Sequence, residues 1–421
     1  MDTSRYSDFL DLRPLNVRLA MSGSRCGLVS GRDIARTARE NEAIVLAANI
    51  RNPLSALGIF RAAKKADSFV LLELAKSENG YTGVHFHNLP QYAMMFSSMV
   101  GDGFVYALHM DHYAVKCQED RDEAVSTVPW AIGQGWTSVA IDASHNPDYP
   151  NLVYTRDIGM HIPNYIGLEA EVGEIKGPGE LTTVEEAEYF VGGLNSWGVF
   201  PDYLAISNGS KHGTYDTSKG EAEGIDLERT AEVAETISRY GTVIAQHGIS
   251  GTPLDKVGRF RKYGINKGNV GTLWQNLVFG LEVDEESGNA VIENGSYVKR
   301  PDKGIPTELW EDMVEWADSQ GYSRASGNYK KANLPFHHRI MALPDEYRSR
   351  ILDETERWAL RFFESFGSTG TSTRVIESIL ERGDWNSMPE QRIVADRAQC
   401  VPERAPDYES DKESGGRDYS D

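Results

Sequence analysis

The sequence has few cysteines, and this shortage limits the chemistry that it can support. Only Cys26, Cys117 and Cys400 occur among 421 residues, and no two of them form a Cys-x-x-Cys pair. A disulfide framework and a thiolate zinc site are therefore not expected. Any metal ion would have to be held by histidines and carboxylates.

Basic side chains and long hydrophobic runs are also scarce. Lys and Arg number 43 against 63 Asp and Glu, which gives a formal net charge of −20. Nucleic acid and anionic membranes would repel such a chain, so we expect neither as a partner. Mainly apolar stretches such as 68–75 are too short to cross a bilayer, and residues 1–11 do not resemble a signal peptide. These absences predict a soluble cytoplasmic protein.

A repeating pattern of short aliphatic runs begins at about residue 42, and most of the runs precede a stretch of helical character. The runs predict strands at 43–49, 69–75, 105–111, 138–142, 167–172, 203–207, 242–247 and 264–269. Helices are predicted at 53–65, 89–99, 119–133, 184–197, 227–240 and 253–263. The runs are almost continuously apolar, which is typical of strands buried on both faces of a parallel sheet.

Eight strand–helix units predict an α/β fold, a (β/α)₈ TIM barrel over residues 41–285 with a C-terminal helical extension. A doubly wound open sheet is the alternative, but it usually has a glycine-rich turn after its first strand, and residues 48–52 contain no glycine. We expect a helical lead-in over 1–40 and an extension over 286–400 that packs on the barrel or on a partner subunit. Within that extension, helices at 306–319 and 346–365 flank a polar loop at 323–333. Residues 401–421 carry seven acidic and three basic residues and predict a disordered tail.

Histidines occur at the carboxyl ends of several predicted strands, which meet at one face of a barrel. One such histidine is more often structural than functional, but three from different strands favour a metal site. His112, His212 and His247 would give three imidazoles to one divalent ion and leave a position open for substrate, as in catalytic zinc sites. Asp111 would then transfer a proton while the metal polarises a substrate oxygen. Strand alternation places His109 with Asp111 and opposite His112, so the residues alone leave His109 or His112 as the ligand.

Two glycine- and hydroxyl-containing loops follow the last two predicted strands. His-Gly-Ile-Ser-Gly-Thr spans 247–252 after strand 7, and Asn-Val-Gly-Thr spans 269–272 after strand 8. In this fold the loops after strands 7 and 8 recurrently bind phosphate through backbone N–H groups and a helix N-terminus. The pair of loops therefore predicts a phosphorylated substrate.

Over residues 40 to 285, the order and spacing of these motifs resemble the class II, metal-dependent ketose-bisphosphate aldolases. The motifs are Ala-Leu-His-Met-Asp-His at 107–112, Ile-Asp at 141–142, Leu-Glu-Ala-Glu-Val-Gly at 168–173, His-Gly at 212–213, His-Gly-Ile-Ser-Gly at 247–251 and Asn-Val-Gly-Thr at 269–272. The resemblance implies Zn²⁺ as the catalytic cofactor, bound by His112, His212 and His247, and so favours His112 over His109. It also implies Asp142 and Glu171 as ligands of an alternative metal position.

The same resemblance implies roles in substrate binding and proton transfer. Asp111 would donate a proton to the aldehyde oxygen, Asn49 and Asn269 would contact the substrate, and a carboxylate after strand 5 would take the C4 hydroxyl proton. Glu174 and Glu180 are both candidates for that base, and the Gly-Pro-Gly turn at 177–179 favours Glu180. The residues expected to bind phosphate, with a monovalent cation allowed beside them, are Gly213, Gly248, Ser250 and Thr272.

The implied reaction is reversible cleavage of fructose 1,6-bisphosphate to dihydroxyacetone phosphate and glyceraldehyde 3-phosphate. The helical C-terminal part of the chain predicts a homodimer or homotetramer. Three departures from the family pattern favour an alternative ketose phosphate such as tagatose 1,6-bisphosphate. Ala75 replaces a frequent serine, Gly271 replaces a frequent acid, and 328–336 lacks the arginine that longer members extend into a partner's site. Lys330, Lys331 or Arg339 would have to bind the distal phosphate in its place. A metal-dependent hydrolase and a non-catalytic companion subunit are further alternatives. The phosphate loops argue against the hydrolase, and the intact histidines with Asp111 argue against the companion.

Overall fold

The computed structural model describes residues 3–173, 181–209 and 225–384, and its centre is a closed barrel of eight parallel strands in sequential order. The strands are β1 (Val45–Asn49), β2 (Val70–Ala75), β3 (Tyr106–Ala114), β4 (Ser138–Asp142), β5 (Gly167–Val172), β6 (Tyr203–Ile206), β7 (Val243–Gln246) and β8 (Ile265–Val270). Each lies within or close to one of the eight predicted runs. The predicted TIM barrel is confirmed.

The strands are almost completely buried because the barrel interior covers one face and the surrounding helices cover the other. Every residue of β1, β2 and β4 is buried. The largest difference from the predicted bounds is in β3, which continues three residues past Asp111. The register between β3 and β4 shifts between Met110 and Tyr113, so that one strand bulges as it reaches the site.

Fifteen α-helices occur in the described ranges, and α4 to α11 follow the eight barrel strands in turn. They are α1 (Thr3–Asp11), α2 (Leu15–Ala20), α3 (Gly31–Glu40), α4 (Pro53–Ala66), α5 (Leu89–Val100), α6 (Gln118–Gly133), α7 (Asp148–Gly159), α8 (Val184–Ser196), α9 (Leu227–Ser238), α10 (Leu254–Val257), α11 (Thr272–Phe279), α12 (Thr307–Ser319), α13 (Asn333–Met341), α14 (Asp345–Ser365) and α15 (Thr371–Arg382). A short hairpin of β9 (Ile292–Glu293) and β10 (Ser296–Tyr297) follows α11.

Helix α3 closes the amino-terminal end of the barrel. The Gly31 N–H donates to the Thr137 carbonyl oxygen just before β4. A Cβ at Gly31 would lie only 2.4 Å from Ser138 Oγ, so only glycine permits this approach. Ser30 caps α3, its side chain accepting the Arg32 N–H. The closed end leaves the opposite, carboxyl end of the strands for a site.

The C-terminal helices are joined to the barrel by packing and by hydrogen bonds. Helix α14 lies along α4, where a Cβ at Gly58 would meet Thr355 at 2.7 Å. The residues that follow α14 are hydrogen-bonded to the residues that directly precede β1 and β2. Phe366 O accepts from Ile44 N, and Thr371 Oγ1 accepts from Phe69 N. The proposed acidic tail at 401–421 lies outside the described residues. Among the residues described, no helix has the length and apolar character needed to cross a membrane.

Candidate active site

A cavity of about 750 Å³ opens at the carboxyl ends of the strands. Nine of the residues selected from the sequence line it: Asn49, Asp111, His112, Asp142, His247, Gly248, Ser250, Asn269 and Thr272. A tenth, Glu171, reaches the same place, because its Oε2 lies 3.2 Å from His112 Nδ1. His212, Gly213, Glu174 and Glu180 lie outside the described residues.

The backbone of β3 directs His112 into the cavity. Its φ is 41°, a left-handed value that is uncommon outside glycine, and it coincides with the register shift between β3 and β4. The imidazole then lies 4.4 Å from that of His247 between ring centroids, and its Nδ1 is 3.4 Å from Asp142 Oδ2. His109, by contrast, is fully buried inside the barrel. Of the two alternatives left by strand alternation, His112 is the one at the cavity.

Carboxylates surround His112 on several sides. Burial alone would lower its pKa, but Asp111, Glu171 and Asp142 outweigh that effect and raise the pKa well above its usual value. The same negative surroundings would stabilise a divalent cation.

The donor atoms are arranged closely enough to hold a divalent ion. Asp111, His112 and His247 bring their ligand atoms within 4.8 Å of one another, and so do His112, Asp142 and Glu171. Imidazole nitrogens and carboxylate oxygens are the donors that zinc takes when thiolates are absent. The described residues fit a divalent metal, and they offer two overlapping sets of ligands that share His112.

His247 has the protonation state that a metal ligand needs. Its Nε2 lies 2.9 Å from Glu169 Oε1, and burial together with the neighbouring His112 lowers its pKa to about 4. A neutral imidazole with one nitrogen bonded to a carboxylate presents its other nitrogen, Nδ1, in a fixed orientation.

Two amides from neighbouring strands hold the Asp111 carboxylate. Asn49 Nδ2 donates to Oδ2 at 2.8 Å, and Asn269 Nδ2 donates to Oδ1 at 3.1 Å. Burial raises the pKa of Asp111, but His112 and Lys267 outweigh burial and hold the pKa below its usual value. The carboxylate is therefore ionised, and both of its oxygens have fixed directions.

Four buried side chains lie beneath the cavity, of which His109 was considered from the sequence as a metal ligand, whereas Glu73 and Lys267 were not selected. Glu73 and Glu169 each lie 2.7 Å from Lys267 Nζ, and His109 Nε2 is 3.4 Å from the same nitrogen. The sequence did contain a sign of such a cluster, because charged residues occur inside two of the predicted strands. Glu73 lies within Val-Leu-Leu-Glu-Leu-Ala of β2, and Lys267 lies within β8. The sequence pattern identified these runs as strands but attached no function to their charges.

The two predicted phosphate loops meet at one side of the cavity. The Gly271 N–H donates to Ser250 Oγ at 3.3 Å, which connects the loop after β7 to the loop after β8. Thr272 is the first residue of α11, so its N–H and the positive end of that helix lie at the cavity wall. Gly248 has a φ of 72°, which only glycine adopts readily.

Two cations line another part of the wall. Arg51 Nε lies 2.7 Å from Glu78 Oε1, whereas Lys330 has no carboxylate within 4.0 Å in the described part of the chain and lies over the Tyr81 ring at 5.3 Å. Partial burial, and then the charge of Arg51, lower the pKa of Lys330. Arg51 Nη2 also lies next to the loop after β8, 3.4 Å from where a Cβ of residue 271 would be. Lys330 was considered from the sequence as an anion-binding residue, and Arg51 was not.

Comparison with known proteins places this cavity in context. A family model described as fructose-bisphosphate aldolase class-II matches residues 29–321. A fructose-bisphosphate aldolase of Streptococcus pneumoniae is 30% identical over 254 residues, covering 58% of this chain and 79% of that protein. One of Giardia intestinalis is 25% identical over 331 residues, covering 72% and 96%. The solved structure of the YdjI aldolase from Escherichia coli K12 shares the fold, with a TM-score of 0.52 at 21% identity, over 82% of this chain and 99% of that one.

The family match extends over more than half of the chain and includes all eight strands of the barrel. The family is metal-dependent, which agrees with the cluster of histidine and carboxylate donors at the cavity. Its members act on phosphorylated sugars, which agrees with the paired loops after β7 and β8. The chain belongs to the fructose-bisphosphate aldolase class-II family and is a lyase.

Proposed function

We propose that the protein reversibly cleaves fructose 1,6-bisphosphate to dihydroxyacetone phosphate and glyceraldehyde 3-phosphate, with zinc as its metal. The observation that carries this proposal is the ionised Asp111 carboxylate, held by two amides beside the His112 and His247 imidazoles in a cavity with two phosphate loops. Carbon–carbon cleavage needs a positioned group that takes the C4 hydroxyl proton, a stabilised negative charge and a fixed phosphate. This cavity has groups suited to each.

The metal would be held by His112 and His247 together with His212, and Asp142 and Glu171 would offer a second position beside it. When bound, zinc supplies a Lewis acid that polarises the ketose carbonyl and stabilises negative charge at its oxygen. The neutral state of His247 and the acidic surroundings of His112 support this assignment.

The remaining steps belong to side chains of the chain itself. Asp111 would exchange a proton with the aldehyde oxygen, because its two amide contacts leave the carboxylate oriented at the cavity. The C4 hydroxyl oxygen becomes the aldehyde oxygen, so in the cleavage direction the ionised Asp111 would take this proton. Glu180 would then supply a proton to the carbon that is left negatively charged on the dihydroxyacetone phosphate half. Asn49 and Asn269 would orient the reacting atoms. The groups proposed for the phosphate next to the carbonyl are Gly213, Gly248, Ser250 and Thr272, with a monovalent cation allowed beside them.

Arg51 and Lys330 support a substrate with a second anionic group. Two cations share one nearby carboxylate, Glu78, so a phosphate would complete the charge balance of this wall. The same chemistry on tagatose 1,6-bisphosphate is the second candidate, and Ala75 favours it. That residue lines the cavity without a hydroxyl to hydrogen-bond the sugar.

The proposed cellular role is the aldolase step of glycolysis and gluconeogenesis in the cytoplasm. We also propose a homodimer or homotetramer, which size-exclusion chromatography with light scattering would measure directly. The single-chain cavity already contains Arg51 and Lys330, so cleavage would not depend on an arginine from a partner subunit.

The test is coupled cleavage of fructose 1,6-bisphosphate, tagatose 1,6-bisphosphate and fructose 1-phosphate, before and after metal removal with EDTA and after zinc is restored. We expect turnover of the fructose bisphosphate to be fastest, to stop with EDTA and to return with zinc, at about one zinc per chain. Preferred cleavage of the tagatose bisphosphate would select the second candidate. Zinc-dependent release of inorganic phosphate instead would indicate a hydrolase, and a protein without metal or cleavage would indicate a companion subunit.

A further inference from the structure

A buried ionic cluster lies one layer below the cavity. It consists of Glu73, His109, Glu169 and Lys267, which are each 0–1% exposed. Each member stands two positions before a residue of the site on its own strand, and therefore points to the same barrel interior. Barrel interiors are usually filled by branched apolar side chains, and burying a lysine is costly unless its charge is compensated.

Each carboxylate of the cluster contacts Lys267 through one oxygen and a residue of the site through the other. Glu169 Oε2 lies 2.7 Å from Lys267 Nζ, and its Oε1 lies 2.9 Å from His247 Nε2. Glu73 Oε1 lies 2.7 Å from the same Nζ, and its Oε2 accepts from Asn269 Nδ2 at 2.9 Å. Asn269 Nδ2 also donates to Asp111 Oδ1. One ammonium group is thus connected by two short paths to two residues of the proposed reaction.

We propose that Lys267 is a positioning residue for the cleavage reaction: by holding Glu169 and Glu73 together, it fixes the imidazole of His247 and, through Asn269, the carboxylate of Asp111. The roles of His247 and Asp111 in this inference rest on the proposed function. A lysine suits the task because it attracts both carboxylates without occupying or creating a coordination position.

The same cluster does not suit a second metal ion. Glu73, His109 and Asp111 also bring ligand atoms within 4.8 Å of one another. The Lys267 ammonium, however, lies 3.4 Å from His109 Nε2 and 4.0 Å from Asp111 Oδ1, among the same donors. A divalent cation at that point would be repelled by the lysine, which already provides the positive charge.

The alternative is that Lys267 only stabilises the barrel, and a distant ion pair provides the comparison. Arg32 and Asp202 are also buried, with Nε 3.2 Å from Oδ1, but they lie at the closed amino-terminal end of the barrel. The variants Lys267→Met and Arg32→Met both remove one buried cation and leave a carboxylate without it. Only the first lies next to the site.

The experiment measures three properties of each full-length variant: the melting temperature without metal, the zinc dissociation constant by chelator competition, and kcat for fructose 1,6-bisphosphate. We expect both variants to melt at lower temperature. We expect Lys267→Met alone to weaken zinc binding about 10–100-fold, the usual effect of removing an outer-shell partner, and to lower kcat as well. Zinc binding and kcat within twofold of the parent protein in Lys267→Met would overturn the proposal.

A charge-balanced variant covers the case in which Lys267→Met does not fold. Lys267→Met/Glu73→Gln removes one positive and one negative group, which should restore much of the stability. Positioning predicts that zinc binding and kcat stay impaired in this double variant, because Glu169 is no longer held. Recovery of both would assign Lys267 a purely structural role. If the parent protein binds zinc but cleaves no ketose phosphate, the proposed function fails, whereas the zinc measurement still tests Lys267.

Discussion

Asp111 is the side chain on which turnover should depend most directly, since its oxygens are both oriented by amides and its charge is maintained by nearby cations. We expect Asp111→Asn to keep about one zinc per chain and to lower kcat by about 10²–10⁴, the range for a positioned acid–base group. Steady-state cleavage of fructose 1,6-bisphosphate and metal analysis would measure this. Asp120→Asn on α6 is the control, and unchanged kcat in Asp111→Asn would remove Asp111 from the mechanism.

Replacing His247 should abolish metal binding without unfolding the barrel. The imidazole is almost buried and contacts Glu169 and His112, but it belongs to the polar layer of the cavity rather than to the apolar core. We therefore expect His247→Ala to lose bound zinc and nearly all cleavage while the far-UV circular dichroism of the barrel is retained. The exposed His161 is the matched position, and His161→Ala should retain both properties. An active, metal-free His247→Ala protein would contradict the zinc assignment.

The identity of the cavity histidine shows what residue patterns can and cannot supply. Strand alternation correctly grouped His109 with Asp111 inside the barrel, yet it left the choice between His109 and His112 open. The choice depends on a bulge and a positive φ at His112, neither of which has a signature in one sequence. Lys267 was not selected, because a charged residue within an apolar run does not show which other strands its side chain faces.

At the scale of single elements, the strands were easier to predict than the helices. Continuous apolar runs identified all eight barrel strands, because burial on both faces leaves an unambiguous pattern. Helix α7 was not predicted, since Asn146 and Pro147 before it and Asp148 and Pro150 in its first turn are residues typical of turns. In the structure Pro150 lies in the first turn of that helix, where no backbone N–H is required. Helix α13 likewise begins at the end of the predicted polar loop.

Helix α3, which closes the barrel, should give stability a specific dependence on pH. Burial raises the pKa of Asp33 from 3.8 to about 6, although Arg382, Arg36 and Arg32 oppose the shift. Because the folded protein binds the Asp33 proton more tightly than the unfolded chain does, this proton contributes fully to the free energy of unfolding below about pH 4. The contribution is lost as the pH rises to about 6. That loss amounts to at most about 3 kcal/mol.

The variant Asp33→Asn isolates this dependence because asparagine does not titrate. We expect the stability of the parent protein relative to Asp33→Asn to fall between pH 4 and pH 6 and to stay constant above that range. Denaturant unfolding of both proteins across this interval is the measurement. A stability difference that does not change with pH would show that Asp33 keeps an ordinary pKa in the folded protein.

For the whole molecule, helices α14 and α15 share apolar clusters with the barrel strands. Trp358 and Phe362 of α14 belong to the same apolar cluster as the barrel strands, and Phe366 O accepts the N–H that precedes β1. The sequence predicted helices in this region but left their partner open, either the barrel or another subunit. Amphipathic periodicity shows that a helix has an apolar face, and it does not identify the surface that covers that face.

The contact between α4 and α14 provides a test of this shared core. A methyl group at Gly58 would meet Thr355 Cβ at 2.7 Å and Leu352 O at 3.0 Å, so Gly58→Ala forces the two helices apart. We expect a loss of about 1–3 kcal/mol from overpacking, which exceeds the gain of up to about 1 kcal/mol from replacing a helical glycine.

Gly133, at the end of α6, is the matched control because nothing lies within 4 Å of a Cβ built there. Gly133→Ala should leave stability unchanged or raise it slightly. Thermal unfolding followed by circular dichroism, beside the temperature at which cleavage activity is lost, compares the two variants. In Gly58→Ala both temperatures should fall together, because the helix that is displaced packs on the first strand–helix unit of the catalytic barrel. If Gly58→Ala is as stable as Gly133→Ala, then α14 is not packed against the barrel in solution.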